Sequence, residues 1–280
     1  MQVLLLARDF DRVLSYGQET VKLRDDASTA PVAVAMGDAL REKGDQDAAV
    51  KRYFAAYGRD RVLGDEVAGR LRRLIESEGG HPLASLALGK VLGAEGRSSE
   101  AVEALRAACA ADAKLSDSVL NELRALMASS PADPQPGLAT LALLLERRDT
   151  KEAIRTVSGL LDSHPQTAPA LAGHLEQILK ADPNQPFAQY EMGRALQHMQ
   201  LFPRSAGFYL AAFRLDAGLA PMILKRLQEI TMAAPACLDA YLAACAIHAS
   251  KGKFMAAAEK IQQAFQKLPG EAARLLPRLE

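Results

Sequence analysis

A register of 52 residues runs through this chain and constrains its fold more than any other feature. Gly37 and Gly89 stand 89 − 37 = 52 residues apart, and Gly193 follows after two further steps, 193 − 89 = 104. A small residue recurs at Ala49, Ala101, Ala153, Ser205 and Ala257, and a larger one at Tyr53, Leu105, Val157, Tyr209 and Ile261. Ala56, Ala108, Leu160, Ala212 and Ala264 make a further series in the same steps. A fixed period of this length means that one supersecondary unit is repeated, with each copy burying its apolar face against the next.

Within a unit the spacing predicts helices. Met36–Tyr57 is MGDALREKGDQDAAVKRYFAAY, which predicts a helix, a tight turn at Gly44 and a second helix that folds back on the first. Small residues at Gly37, Ala49 and Ala56 allow close approach, and Tyr53 fills the gap between the helices. This stretch resembles one tetratricopeptide repeat, a helical hairpin of about 34 residues. The remaining residues of each unit predict a third helix, aligned by Leu71, Leu123, Leu175, Leu227 and Leu279, with apolar positions such as Val67, Leu71 and Leu74 on one face. Asp65 and Ser116 are expected to cap third helices, and Pro169 and Pro221 suit a first turn that needs no donor. The prolines of SSPADPQP and ADPNQP end one unit and open the next.

The expected fold is therefore all-α, a right-handed α-solenoid resembling a tetratricopeptide superhelix. It comprises five 52-residue three-helix repeats (31–82, 83–134, 135–186, 187–238 and 239–280) after an N-terminal partial repeat over 1–30. Departures from the register are informative. Leu141 and Cys245 take the glycine position, and the turn position passes from Gly44 and Gly96 to Arg148, Gln200 and Gly252. His248 stands where Leu40, Leu92, Leu144 and Leu196 stand in the preceding units, which predicts a partly exposed face there.

Composition narrows function mainly by exclusion. The chain has 34 basic and 34 acidic side chains and no net charge, so no global field collects phosphates or anionic lipid, and nucleic acid is a poor partner. Residues 183–280 carry a mild local excess of 11 Lys/Arg over 7 Asp/Glu. Cys109, Cys237 and Cys245 are odd in number and lack metal-ligand spacing, which fits buried thiols in a reducing compartment. The apolar run near the start is too short for a secretory segment or a membrane span, so membrane insertion is not expected and a cytoplasmic location is. No GxSxG, HExxH or CxxC motif and no glycine-rich phosphate loop occurs. No enzyme, cofactor or metal site is expected.

The resemblance implies that the first helices line a groove that binds a protein or peptide segment. Carried over by position, the partner-binding residues are Asp38 and Arg41, Lys90, and in the fourth unit Phe187, Tyr190, Arg194, Gln197 and His198. No aromatic lies between Tyr57 and Phe187, and Phe187 and Tyr190 with Arg194 form an aromatic–basic strip at helical spacing. Core packing is the competing reading of that strip. The leading function is a non-catalytic interaction scaffold; a ligand- or peptide-sensing regulatory domain and a subunit that self-associates through the ends of its solenoid are the alternatives.

Overall fold

A computed structural model describes residues 4–5, 8–24 and 26–271. Among these residues there are fifteen α-helices and no strand. Leu279 of the third-helix series lies outside the described residues. The chain divides into two compact units, 1–143 and 144–280, with the division inside one helix, α8 (Gln135–Glu146).

In the first unit, α1 (Phe10–Leu23) packs on α2 (Ala30–Glu42), which pairs with α3 (Gln46–Arg59); α4 (Gly64–Ser77) then packs on α5 (Pro82–Ala94), which pairs with α6 (Ser98–Ala111) and is followed by α7 (Ser116–Ser129). The second unit repeats the order. Its helices are α9 (Thr150–Ser163), α10 (Ala168–Ala181), α11 (Pro186–His198), α12 (Phe202–Leu215), α13 (Ala220–Ala233), α14 (Leu238–Ser250) and α15 (Phe254–Lys267). The pairs α11–α12 and α14–α15 are its hairpins, with α10 packed on α11 and α13 on α14. The second helices of the hairpins begin at Gln46, Ser98, Thr150, Phe202 and Phe254, in steps of 52.

Close approach within the hairpins depends on glycine at two places above all. A β-carbon at Gly37 would lie 2.5 Å from the Tyr53 ring, and one at Gly193 would lie 2.6 Å from the Tyr209 ring. Both tyrosines are fully buried. The ring occupies the volume that a side chain on the facing helix would take, so each hairpin holds one large group where two cannot fit.

The turns explain themselves by backbone geometry. All five turn positions are left-handed, with φ of 84° at Gly44, 76° at Gly96, 59° at Arg148, 60° at Gln200 and 71° at Gly252. At the first of them the Gly44 amide donates to the Arg41 carbonyl and the Asp45 amide to the Leu40 carbonyl, both at 2.9 Å, which satisfies the last carbonyls of α2. Arg148 and Gln200 adopt the same turn without glycine, so the hydrogen-bonded closure outweighs the cost of placing a β-carbon there.

The starts of the third helices differ from the expectation drawn from Asp65 and Ser116. A short 3-10 turn precedes each one, and the capping side chains belong to that turn: Asp60 accepts from the Val62 amide at 3.0 Å, Asp112 from Lys114 at 2.9 Å and Asp216 from Gly218 at 2.8 Å. Asp65 and Ser116 lie inside the first turn, while Leu63 and Leu115 occupy the cap positions. Capping five residues before Asp65 and four before Ser116 satisfies the amides of the 3-10 turn, whose last residue leads directly into the α-helix. Leu71, Leu123, Leu175 and Leu227 are buried to 1% exposure or less and form the inner seam of these helices. No helix among the described residues is long and apolar enough to cross a membrane.

Candidate functional site

The polar side chains of the first helices do not point into empty space; many reach across to a third helix. In the first unit, Asp38 on α2 accepts from the Arg70 Nε on α4 at 3.0 Å and from the Tyr53 hydroxyl on α3 at 2.8 Å. Arg70 is held from its other side by Glu66 at 2.8 Å. At the same register positions one unit later the polarity is reversed, with Lys90 on α5 paired to Glu122 on α7 at 3.1 Å. Lys90 also places its ammonium 5.8 Å from the centre of the Phe54 ring. Asp38, Arg70, Lys90 and Glu122 are all half-buried. Arg41, the neighbouring candidate, pairs with Glu42 at 2.6 Å.

Such a rung fixes side-chain positions at the surface of two helices at once. Exchanging its charges, by Asp38→Lys with Arg70→Glu, is expected to recover part of what each single change costs, because the second rung already has that polarity. A double-mutant cycle in urea should give a coupling of about 0.5–1 kcal/mol. Additive single effects would mean that the rung holds nothing.

The second unit carries the densest polar cluster, and it is buried. Position 194 is the register equivalent of Asp38 and Lys90, and its counterpart on the third helix is Arg226, a like charge. Arg194 therefore turns away from Arg226. Its guanidinium donates to Glu191 at 3.0 Å, to the Ser158 hydroxyl at 3.1 Å and to Asp162 on α9. Arg194 and Glu191 are each only 4% exposed. Burial pushes the Glu191 carboxyl above its usual range, against the pull of Arg194.

Arg226 finds other partners, approaching the Tyr190 hydroxyl at 3.4 Å and Glu229 at 3.1 Å. Glu229 also accepts from Gln197 at 3.2 Å, and Gln197 in turn accepts from the Tyr209 hydroxyl at 2.7 Å. Tyr190 and Tyr209 pack as a tilted pair with ring centres 5.6 Å apart. Burial raises the Tyr209 hydroxyl, which stays protonated and so remains a donor.

The predicted strip thus separates into two kinds of residue. Tyr190, at 4% exposure, and Arg194 are interior groups joining α9, α11, α12 and α13, so a peptide laid on the surface does not reach them. The i, i+4 spacing that puts them on one helix face is the same for a groove and for a core. Phe187 is 51% exposed at the start of α11, His198 is exposed at its end, and Gln197 is half-buried between them. Burial, then the charges of Arg194 and Arg226, lower the His198 imidazole, which favours its neutral form. Sequence reasoning missed Glu191, Ser158, Asp162 and Arg226. For Asp162 alone the signal was a complementary side chain 32 residues along, as in Asp38 and Arg70.

Among the described residues no group of His, Cys, Asp and Glu is arranged to hold a metal ion. No family model and no curated protein matches the chain. The chain is similar to solved structures of tetratricopeptide-repeat and related helical proteins. PilF from Pseudomonas aeruginosa is 18% identical, with 83% of this chain and 98% of that one covered and a TM-score of 0.31. YrrB, described as a TPR protein with an unusual peptide-binding site, is 14% identical over 94% of this chain and 98% of its own, with a TM-score of 0.22. Yeast Tom70 is 9% identical over 98% and 87%, with a TM-score of 0.20.

Proposed function

We propose that this chain is a non-catalytic interaction scaffold that holds a peptide or protein segment along the surface its first helices share with its third helices. The observation that carries this reading is the set of ion-paired rungs, Asp38–Arg70 and Lys90–Glu122. A surface whose polar side chains are already fixed by partners on two rigid helices loses little side-chain freedom on binding, which is how a scaffold gains affinity without a deep pocket. Phe187 supplies an exposed aromatic at the opposite end of α11 from Gln197 and the Gln197–Glu229–Arg226 chain, and anchors of this kind dominate interface energetics. The register implies an array of 52-residue units, so the same surface recurs along the chain with a different charge pattern in each unit.

Benzoylphenylalanine introduced at Phe187, Lys90 or His198 tests the reading in an extract of the source cells. Crosslinks to a partner are expected from these positions and not from Glu103 or Arg106, exposed residues of the second helix α6. Equal crosslinking from both sets would remove the first-helix surface as the binding face.

A further inference from the structure

The register that builds the hairpins also reveals where one junction has been rebuilt. Between α13, α14 and α15 lies a cavity of about 380 Å³ bordered by Lys225, Gln228, Thr231, His248 and Lys260, with Leu227 and Ala244 also contributing to its wall. The residues 52 positions earlier are Gly173, Glu176, Leu179, Leu196 and Phe208. Leu196 there is 2% exposed. Relative to the junction just before it, three apolar side chains have become a hydroxyl, an imidazole and an ammonium, an acid has become an amide, and a glycine has become a lysine.

Every one of those changes adds hydrogen-bond donors or removes negative charge, and no lining residue is acidic. The His248 Nδ1 is buried without a hydrogen-bond partner. An orphaned polar atom on a residue that lines a polar recess is costly while nothing satisfies it. Among the described residues the hydrogen-bond acceptor of Lys260 is the neutral Gln263 amide, at 3.2 Å. Burial, Lys260 and Lys253 lower the His248 imidazole, with Glu259 acting in the opposite sense.

We infer that this recess binds an anionic side chain, a carboxylate or a phosphate, presented by a partner peptide. The inference rests on the scaffold reading and adds the chemistry of one partner residue. The Lys225 and Lys260 side chains of the lining supply the charge, while Thr231, Gln228 and His248 supply directional hydrogen bonds, and the leucine and alanine wall accepts the methylenes of the stem. Lysine suits a phosphate or carboxylate approached as a point charge.

The test uses the full chain and three probes: inorganic phosphate, a blocked peptide with a single phosphoserine in a Gly/Ala background, and the same peptide with three glutamates. Amide shifts at residues 225, 228, 231, 248 and 260 are expected on titration with at least one peptide. Preference for the phosphopeptide identifies phosphate as the natural group, and equal or better binding of the glutamate peptide identifies carboxylate. Lys225→Gln with Lys260→Gln should weaken binding at least tenfold. His248→Leu, which restores the residue of the four preceding units, should abolish binding and raise the melting temperature. Undiminished binding in the His248→Leu variant, or no shifts at these amides with any probe, overturns the inference. If the crosslinks at Phe187 and Lys90 form but these shifts do not, the scaffold reading stands and only the recess fails.

Discussion

Replacing Arg194 with alanine is expected to destabilise the second unit by about 3–5 kcal/mol, the cost of stranding a buried charge. The side chains of Arg194 and Glu191 are 5% and 6% exposed, so removing the guanidinium leaves the Glu191 carboxylate with Ser158 but without its countercharge. The pH dependence gives a second readout. Because burial already holds the Glu191 pKa above its unfolded value, the protonated form is favoured in the folded state; stability from this group is present at acid pH and declines as pH rises through the folded pKa. Losing Arg194 raises that pKa further, so the decline should move to higher pH in Arg194→Ala and vanish in Arg194→Ala with Glu191→Gln. Replacing the pair by Met and Leu should cost far less than Arg194→Ala alone, since apolar groups of similar volume leave no charge unpaired. Urea titrations between pH 4 and pH 8 decide this, and an Arg194→Ala variant as stable as the parent would mean that the pair is solvated in solution.

This expectation follows the core-packing reading of the strip and not the groove reading, in which Tyr190 and Arg194 anchor a partner. The difference shows which parts of the molecule were legible. The hairpins were, because Gly37 with Tyr53 and Gly193 with Tyr209 repeat a local size complementarity at fixed spacing. The turns were as well, even at Arg148 and Gln200, because register placed them where glycine stands in the other units. The side of α11 that meets protein was not legible from α11 itself. It is fixed by α9 and α13, which bring Asp162 and Arg226 to positions 32 residues before and after Arg194. An amphipathic pattern within one helix carries no information about a neighbour two helices away. Charge reversal does carry it: Asp38 with Arg70 and Lys90 with Glu122 keep opposite signs while exchanging them, which marks a contact. The capping of the third helices was misplaced for a similar reason, since the 3-10 turn between Asp60 and Gly64 has no hydrophobic period to announce it.

A methyl group at residue 193 provides the second large effect. Gly193→Ala sets a β-carbon 2.6 Å from two carbons of the Tyr209 ring, well inside contact distance, and the ring has nowhere to withdraw because it is fully buried and packed at a tilt against Tyr190. Overpacking of this kind costs about 1–3 kcal/mol. The Tyr209 ring is also tied by its hydroxyl to Gln197, so a displaced ring pulls on the Gln197–Glu229–Arg226 chain at the surface. Gly193→Ala is therefore expected to alter the crosslinking pattern from residue 198 as well as stability. Tyr209→Ala, which removes the clash partner, should cost more still, about 3–5 kcal/mol, because it empties the gap between α11 and α12. In the double variant the new β-carbon no longer meets a ring, so Gly193→Ala in a Tyr209→Ala background should cost well under its value in the parent. Strict additivity of the two changes, measured by urea unfolding, would show that the glycine is there for a reason other than the tyrosine.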